Sequence, residues 1–117
     1  MELVAYLGAD RENWGQLTAL INRYEWDKIF IVRNKNVDEF SSPKKCEFID
    51  VNPEKPLLEL KKDIMSKLNG KLGELEVALS IASGTGKEHM ALISALLSVP
   101  VGIRLVVFTK EGIEFIN

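Results

Sequence analysis

Apolar residues in this chain occur in two patterns: short continuous runs, and longer segments in which they recur every third or fourth position. Residues 3–7, Leu-Val-Ala-Tyr-Leu, form the first run, and Gly8 ends it. Such a run fits a strand covered on both faces. The polar stretch Ala9-Asp10-Arg11-Glu12-Asn13 supplies capping residues, and Trp14, Leu17, Leu20, Ile21 and Tyr24 then recur at helical spacing. The spacing predicts an amphipathic helix over residues 13–24. Ile29-Phe30-Ile31-Val32 is a second buried strand. Strand, helix and strand within about 30 residues make a βαβ unit with a right-handed crossover.

Residues 33–45 are polar, include Ser41-Ser42-Pro43, and read as a long connection with one helical turn around residues 38–40. Residues 46–51 alternate as a strand nearer an edge, which Asn52-Pro53 ends. Pro56 fits the first turn of a helix. In that helix Leu57, Leu60, Ile64 and Leu68 share one face, with Leu58 and Met65 beside them, while Lys61, Lys62, Asp63 and Lys67 form a solvated face. Asn69-Gly70 stops it. Val77-Ala78-Leu79-Ser80-Ile81 is another buried strand, leading through Ala82-Ser83-Gly84-Thr85-Gly86 to a helix that starts near Lys87 or Glu88 and ends before Pro100. Met90, Ala91, Leu92, Ile93, Ala95, Leu96 and Leu97 make this helix apolar nearly all round, so it is expected to be covered on more than one side, the second cover being another subunit. Residues 103–108 and 113–116, joined by Thr109-Lys110-Glu111-Gly112, predict a closing β-hairpin. The expected fold is an α/β, Rossmann-like three-layer domain with a mostly parallel sheet in the order 3-2-1-4-5 and a C-terminal antiparallel hairpin strand.

Composition narrows the function. At 117 residues and 46% hydrophobic, the chain reads as one domain spanning residues 1–117, with no internal repeat. It carries 15 Lys plus Arg against 17 Asp plus Glu, a net charge of −2. That balance excludes a general coat for duplex nucleic acid and confines any anion site to a local cluster. The single cysteine, Cys46, excludes an internal disulfide and a cysteine-based metal centre, and no metal or cofactor is expected. No run approaches the roughly 18 apolar residues of a membrane span. The first residues lack the basic n-region of a signal peptide. The expectation is a cytoplasmic protein that meets no membrane.

Open α/β sheets bind ligands beyond the carboxyl ends of their strands, where the strand order reverses. In the expected order that point lies between the first and fourth strands, and the loops leaving them hold Gly8, Ala9, Asp10, Arg11 and Asn13 on one side and Ser83, Gly84, Thr85, Gly86 and Lys87 on the other. In the second loop, glycines admit close backbone approach, the helix end adds partial positive charge, and Lys87 adds a full charge, a set suited to phosphate. The plainer reading is a tight strand-to-helix turn with a hydroxyl cap and a solvated lysine. A Walker A loop is absent, because Ile81 stands in place of its first glycine and Glu88 in place of its magnesium-binding hydroxyl. The dinucleotide fingerprint is absent too, since Gly8 is followed by no glycine until Gly15. His89, the only histidine, reads as a capping or surface residue rather than a base. Cys46 and Trp14 read as core, although Trp14 is near enough to the first loop to stack on a base. Arg11 and Asn13 read as a salt bridge and a helix cap, or as phosphate and ribose contacts. Arg33, Asn34 and Lys35 leave the second strand on the same side of the sheet and form a candidate rim.

Three features together resemble the CARF domains, the Rossmann-like sensor domains of CRISPR-associated proteins. These are the strand running into Ser83-Gly84-Thr85-Gly86-Lys87 and the apolar helix containing Met90-Ala91-Leu92, the first strand ending in Gly8-Ala9-Asp10-Arg11-Glu12-Asn13, and the hairpin Arg104-Leu105-Val106-Val107-Phe108-Thr109-Lys110-Glu111-Gly112-Ile113. The family loop is closer to Gly-Gly-Thr followed by a basic residue, whereas here Gly-Thr-Gly precedes Lys87. The resemblance implies a homodimer that binds a cyclic oligoadenylate across its two-fold axis. Family members usually carry a fused effector, for which this length leaves no room. Some similar stand-alone proteins are ring nucleases that open the messenger without metal. On that reading Lys87 and the Gly84 to Gly86 amides stabilise charge, and Ser83, Thr85, Arg11 and Asn13 orient the nucleotide. Two alternatives stand beside it: a dimerisation or interaction module of the same fold that binds no nucleotide, and a small nucleotide-dependent enzyme.

Overall fold

A computed structural model describes residues 1–117. Six strands form one sheet: β1 (Glu2–Leu7), β2 (Ile29–Asn34), β3 (Glu47–Val51), β4 (Glu76–Ser80), β5 (Gly102–Thr109) and β6 (Gly112–Phe115). The helices are α1 (Trp14–Arg23), α2 (Leu57–Leu68) and α3 (Gly86–Ser98), and one 3-10 turn, Arg11–Asn13, precedes α1. The sheet order is β3-β2-β1-β4-β5-β6, parallel throughout except for the antiparallel β5–β6 hairpin. This is the Rossmann-like α/β architecture that the alternation of elements predicts.

β1 sits at the centre because every one of its residues is apolar or buried, and it pairs with β2 on one side and β4 on the other: Leu3 lies between Ile29 and Ala78, Ala5 between Ile31 and Ser80. Strand alternation divides the core in two. Val4, Tyr6, Val32, Ile49 and Leu79 pack on the side covered by α2 and α3. Leu3, Ala5, Leu7 and Ile31 pack on the other side against Leu17, Leu20 and Ile21 of α1, with Val37 and Phe40 from the β2–β3 connection closing that layer.

Local boundaries differ from the sequence reading in three places. The turn expected around residues 38–40 has no helical structure; Val37 and Phe40 are instead drawn into the α1-side core and anchor this irregular segment. β3 begins at Glu47, so Cys46 precedes the strand, half-buried. β4 ends at Ser80 rather than Ile81, and α3 begins at Gly86. The helix α3 is buried along Ala91, Leu92, Ala95 and Leu96, but Met90 is 59% exposed and Leu97 62%. Within this chain α3 is thus covered on one side only. No helix is long and apolar enough to cross a membrane.

Candidate ligand crevice at the switch point

β1 and β4 are neighbours whose onward connections diverge to opposite faces of the sheet, and the loops leaving them are joined by direct hydrogen bonds. The Gly8 amide donates to Ser83 Oγ at 2.9 Å, and that hydroxyl donates to Asp10 Oδ1 at 2.7 Å. The Gly84 amide donates to the same Oδ1 at 2.9 Å, and Asn13 Nδ2 donates to Oδ2 at 2.6 Å. Trp14 Nε1 donates to the Gly8 carbonyl at 2.9 Å, fixing the start of α1 to the end of β1. Burial works against the Asp10 charge, but the bonds from Asn13, Ser83 and Gly84 outweigh it and hold the carboxyl below its ordinary range. The two backbones touch here. A Cβ on Gly8 would stand 2.7 Å from the Gly84 Cα, so a side chain at Gly8 would force the loops apart.

The turn into α3 is built by Gly84, at φ +108°, and by a capping box. Thr85 Oγ1 accepts from the Glu88 amide at 3.3 Å, and Glu88 Oε1 accepts from the Thr85 amide at 2.8 Å. The amides of Gly84 and Thr85 are therefore engaged by two of the protein's own carboxylates, Asp10 and Glu88. Of the Gly84 to Gly86 amides expected to hold phosphate, only that of Gly86 is free. The Lys87 amide is free as well, because the first N–H groups of a helix have no intrahelical acceptor.

The side chains of the two loops disperse. Lys87 is exposed and reaches across the rim to donate to the Pro53 carbonyl at 2.9 Å, linking α3 to the β3–α2 connection. Arg11 pairs with Glu39 at 2.7 Å and lies over the Trp14 ring at 5.2 Å, on the α1 side. Asn13 forms no side-chain helix cap and braces Asp10 instead. Trp14 packs edge-on against Phe40 as a core residue. Ala9 and Thr85 are exposed. The rim trio separates: Arg33 pairs with Asp50 at 2.5 Å and stacks over Phe48, while Asn34 turns to the α2/α3 side, and Lys35 is exposed.

Between the α3 N-terminus and the Asn52-Pro53 corner, the floor at the carboxyl ends of β1 and β2 is polar. Tyr6 Oη donates to Asn34 Oδ1 at 2.6 Å. Burial, with Glu88 adding to it, raises the Tyr6 phenol well above its ordinary value and keeps it a proton donor. His89 Nε2 lies 2.7 Å from the Ser83 carbonyl, and since a carbonyl only accepts, Nε2 donates the hydrogen. The His89 ring meets Tyr6 edge-on at 6.3 Å. Tyr6, Glu88 and His89 all crowd Gly84, where a Cβ would fall within 3.1 Å of each. The sequence reading passed over Tyr6 and Glu88. One signal for Tyr6 was present: a phenol at the carboxyl end of a doubly covered strand must find a hydrogen-bond partner nearby.

A surface groove of about 830 Å³ lies at the opposite, amino-terminal ends of the strands, between the starts of β2 and β3 and the end of α2. Two of its four lysines are engaged there, Lys71 with Glu47 at 2.6 Å and Lys44 with the Tyr24 carbonyl at 3.2 Å, while Lys28 and Lys45 have no side-chain partner. No group of three or more His, Cys, Asp or Glu side chains converges to hold a metal. No known protein-family model matches the chain, and no curated protein matches it at a significant level.

Proposed function

We propose that this chain binds a cyclic oligoadenylate at the crevice between its β1 and β4 loops, as a homodimer that places the ligand on its two-fold axis. One observation carries the reading. At the switch point the two loops are joined through Gly8, Asp10, Ser83 and Gly84, and the amides of Gly86 and Lys87 are left without protein acceptors on the same rim. A helix N-terminus fixed in this way offers a phosphate oxygen preorganised donors. Lys87 adds a mobile cation, since its only bond is an exposed one to a backbone carbonyl. Asp10 and Glu88 serve as ties for the loops and limit how much negative charge the crevice accepts. A two-fold ligand suits an isologous interface, and the exposed flank of α3, with Met90 and Leu97, supplies apolar surface for one.

Ring opening on this scaffold would have a ribose 2′-oxygen attack the adjacent phosphorus. The 5′-oxygen would leave with the proton given up by the 2′-hydroxyl, and a 2′,3′-cyclic phosphate would form. The protein's share would be alignment and stabilisation of the charged phosphorane by the Gly86 and Lys87 amides and the Lys87 ammonium.

The test is calorimetric titration of the purified chain with cyclic tetra- and hexa-adenylate, with chromatography of the products. Micromolar or tighter binding of either supports the reading, and binding of neither overturns it. Intact ligand after long incubation makes the protein a sensor without nuclease activity. Lys87→Ala should weaken binding about tenfold, the value of one charge-assisted hydrogen bond. The α3 flank also favours a second reading, a dimerisation module without nucleotide binding, which a stable dimer that takes up neither ligand would establish.

A further inference from the structure

The polar floor of the crevice contains a side chain that the fold leaves half satisfied. Asn34 is only 8% exposed, at the last position of β2 beside Val51 of β3. Its Oδ1 accepts the Tyr6 hydroxyl, and its Nδ2 donates to nothing in the protein. Every fully sealed side-chain nitrogen and oxygen in the molecule has a partner, so Nδ2 reaches solvent. The strand ends at Asn34, and its side chain shares the α2/α3 face with Tyr6, on the carboxyl-end rim where the bond from Lys87 to the Pro53 carbonyl joins α3 to the β3–α2 connection.

Tyr6 does more than fill space. By donating into Oδ1 it fixes which end of the amide is oxygen and which is nitrogen. A carboxamide oxygen has two acceptor sites, so one remains beside the free Nδ2 hydrogens. The result is an immobilised acceptor–donor pair on a largely buried side chain. Beside its Tyr6 partner stand the His89 ring, edge-on at 6.3 Å, and the 5%-exposed Glu88 carboxylate, which acts on the Tyr6 phenol. An acceptor–donor pair of this kind takes an uncharged planar edge that offers an amino group beside a ring nitrogen, and it rejects a keto oxygen at the amino position.

We propose that Asn34, held by Tyr6, is the base-reading residue of the crevice, accepting from the exocyclic amino group of a purine and donating to its adjacent ring nitrogen. This rests on the cyclic-oligonucleotide reading above and assigns it a specificity determinant. Phosphate sits on the Gly86 and Lys87 amides, and the base meets the Asn34 amide on the polar floor. Asparagine pairs in this way with the N6/N7 edge of adenine and not with the O6/N7 edge of hypoxanthine or guanine.

The test compares cyclic tetra-adenylate with cyclic tetra-inosinate, which differ at that edge by an amino group against an oxygen. Wild-type protein should bind the adenine form roughly tenfold tighter or better. Asn34→Asp keeps the acceptor for Tyr6 and loses the donor, and it should abolish most of the preference. Tyr6→Phe releases the amide to rotate, and it should weaken the preference while retaining binding. Melting curves establish that each variant is folded, and the wild-type comparison stands on its own if Asn34→Asp fails to fold. Equal affinity of the wild type for the two rings, or an undiminished preference in folded Asn34→Asp, overturns the assignment of Asn34 and leaves the binding reading intact. Binding of neither ring overturns both.

Discussion

At the scale of single residues, Asp10 and Ser83 hold the switch point together. Ser83 is buried and serves the Gly8 amide and Asp10 at once, so Ser83→Ala strands a buried donor and removes a support of a carboxylate. The expected cost is roughly 1–3 kcal/mol in urea denaturation. Asp10 gives this region a pH dependence of defined sign. Its carboxyl is held below the ordinary 3.8, so its contribution to stability is present above that pH and is lost as pH falls from 3.8 through the lower folded value. Asp10→Asn should reduce the slope of the acid limb of the stability curve in that window, with the part due to Asp27 and Asp63 remaining, and leave the slope near neutral pH, well above the carboxylate range of about 4, unchanged. A wild-type acid limb retained in Asp10→Asn would place the dependence on other carboxylates.

At the scale of elements, α3 begins where it does because Thr85 and Glu88 close a capping box directly after the left-handed Gly84. Thr85→Ala should cost ~1 kcal/mol and Thr85→Gly only a few tenths, measured by denaturant midpoint at constant slope. The same box engages the Thr85 amide and leaves those of Gly86 and Lys87 free. The box was legible in Thr85-Gly86-Lys87-Glu88 as a hydroxyl followed three residues later by a glutamate. A pattern of that kind marks a helix start without saying which amides it leaves free, because that depends on how the Asp10 loop packs against it. The irregular course of residues 38–40 was not legible for a related reason. Their local polarity fits a turn, and only the docking of Val37 and Phe40 in the α1-side core holds them otherwise.

At the scale of the whole molecule, the exposed flank of α3 decides between an isolated domain and a pair. Met90→Lys with Leu97→Lys places charge on two exposed positions and removes nothing from the interior. If the homodimer forms through this flank, the wild type should sediment as a dimer and the double variant as a monomer with an unchanged melting temperature. A wild type that sediments as a monomer at tens of micromolar, a strong test of interfaces with dissociation constants near 1 μM, would remove the two-fold site.

The alternation of apolar runs and amphipathic segments determined the elements, their order in the sheet and the adjacency of the Gly8 and Gly84 loops. These follow from burial periodicity and from the handedness of βαβ crossovers, both of which act locally along the chain. Tertiary structure alone decided where the charges went. Lys87 leaves the glycine-bearing turn for the Pro53 carbonyl, Arg11 is taken by Glu39, and Asp10 accepts from the Gly84 amide. It also decided that Tyr6 and Asn34, 28 residues apart, share one hydrogen bond on the crevice floor. Side chains on loops choose partners by proximity in space, and that proximity exists only once the sheet has brought distant segments to a common edge.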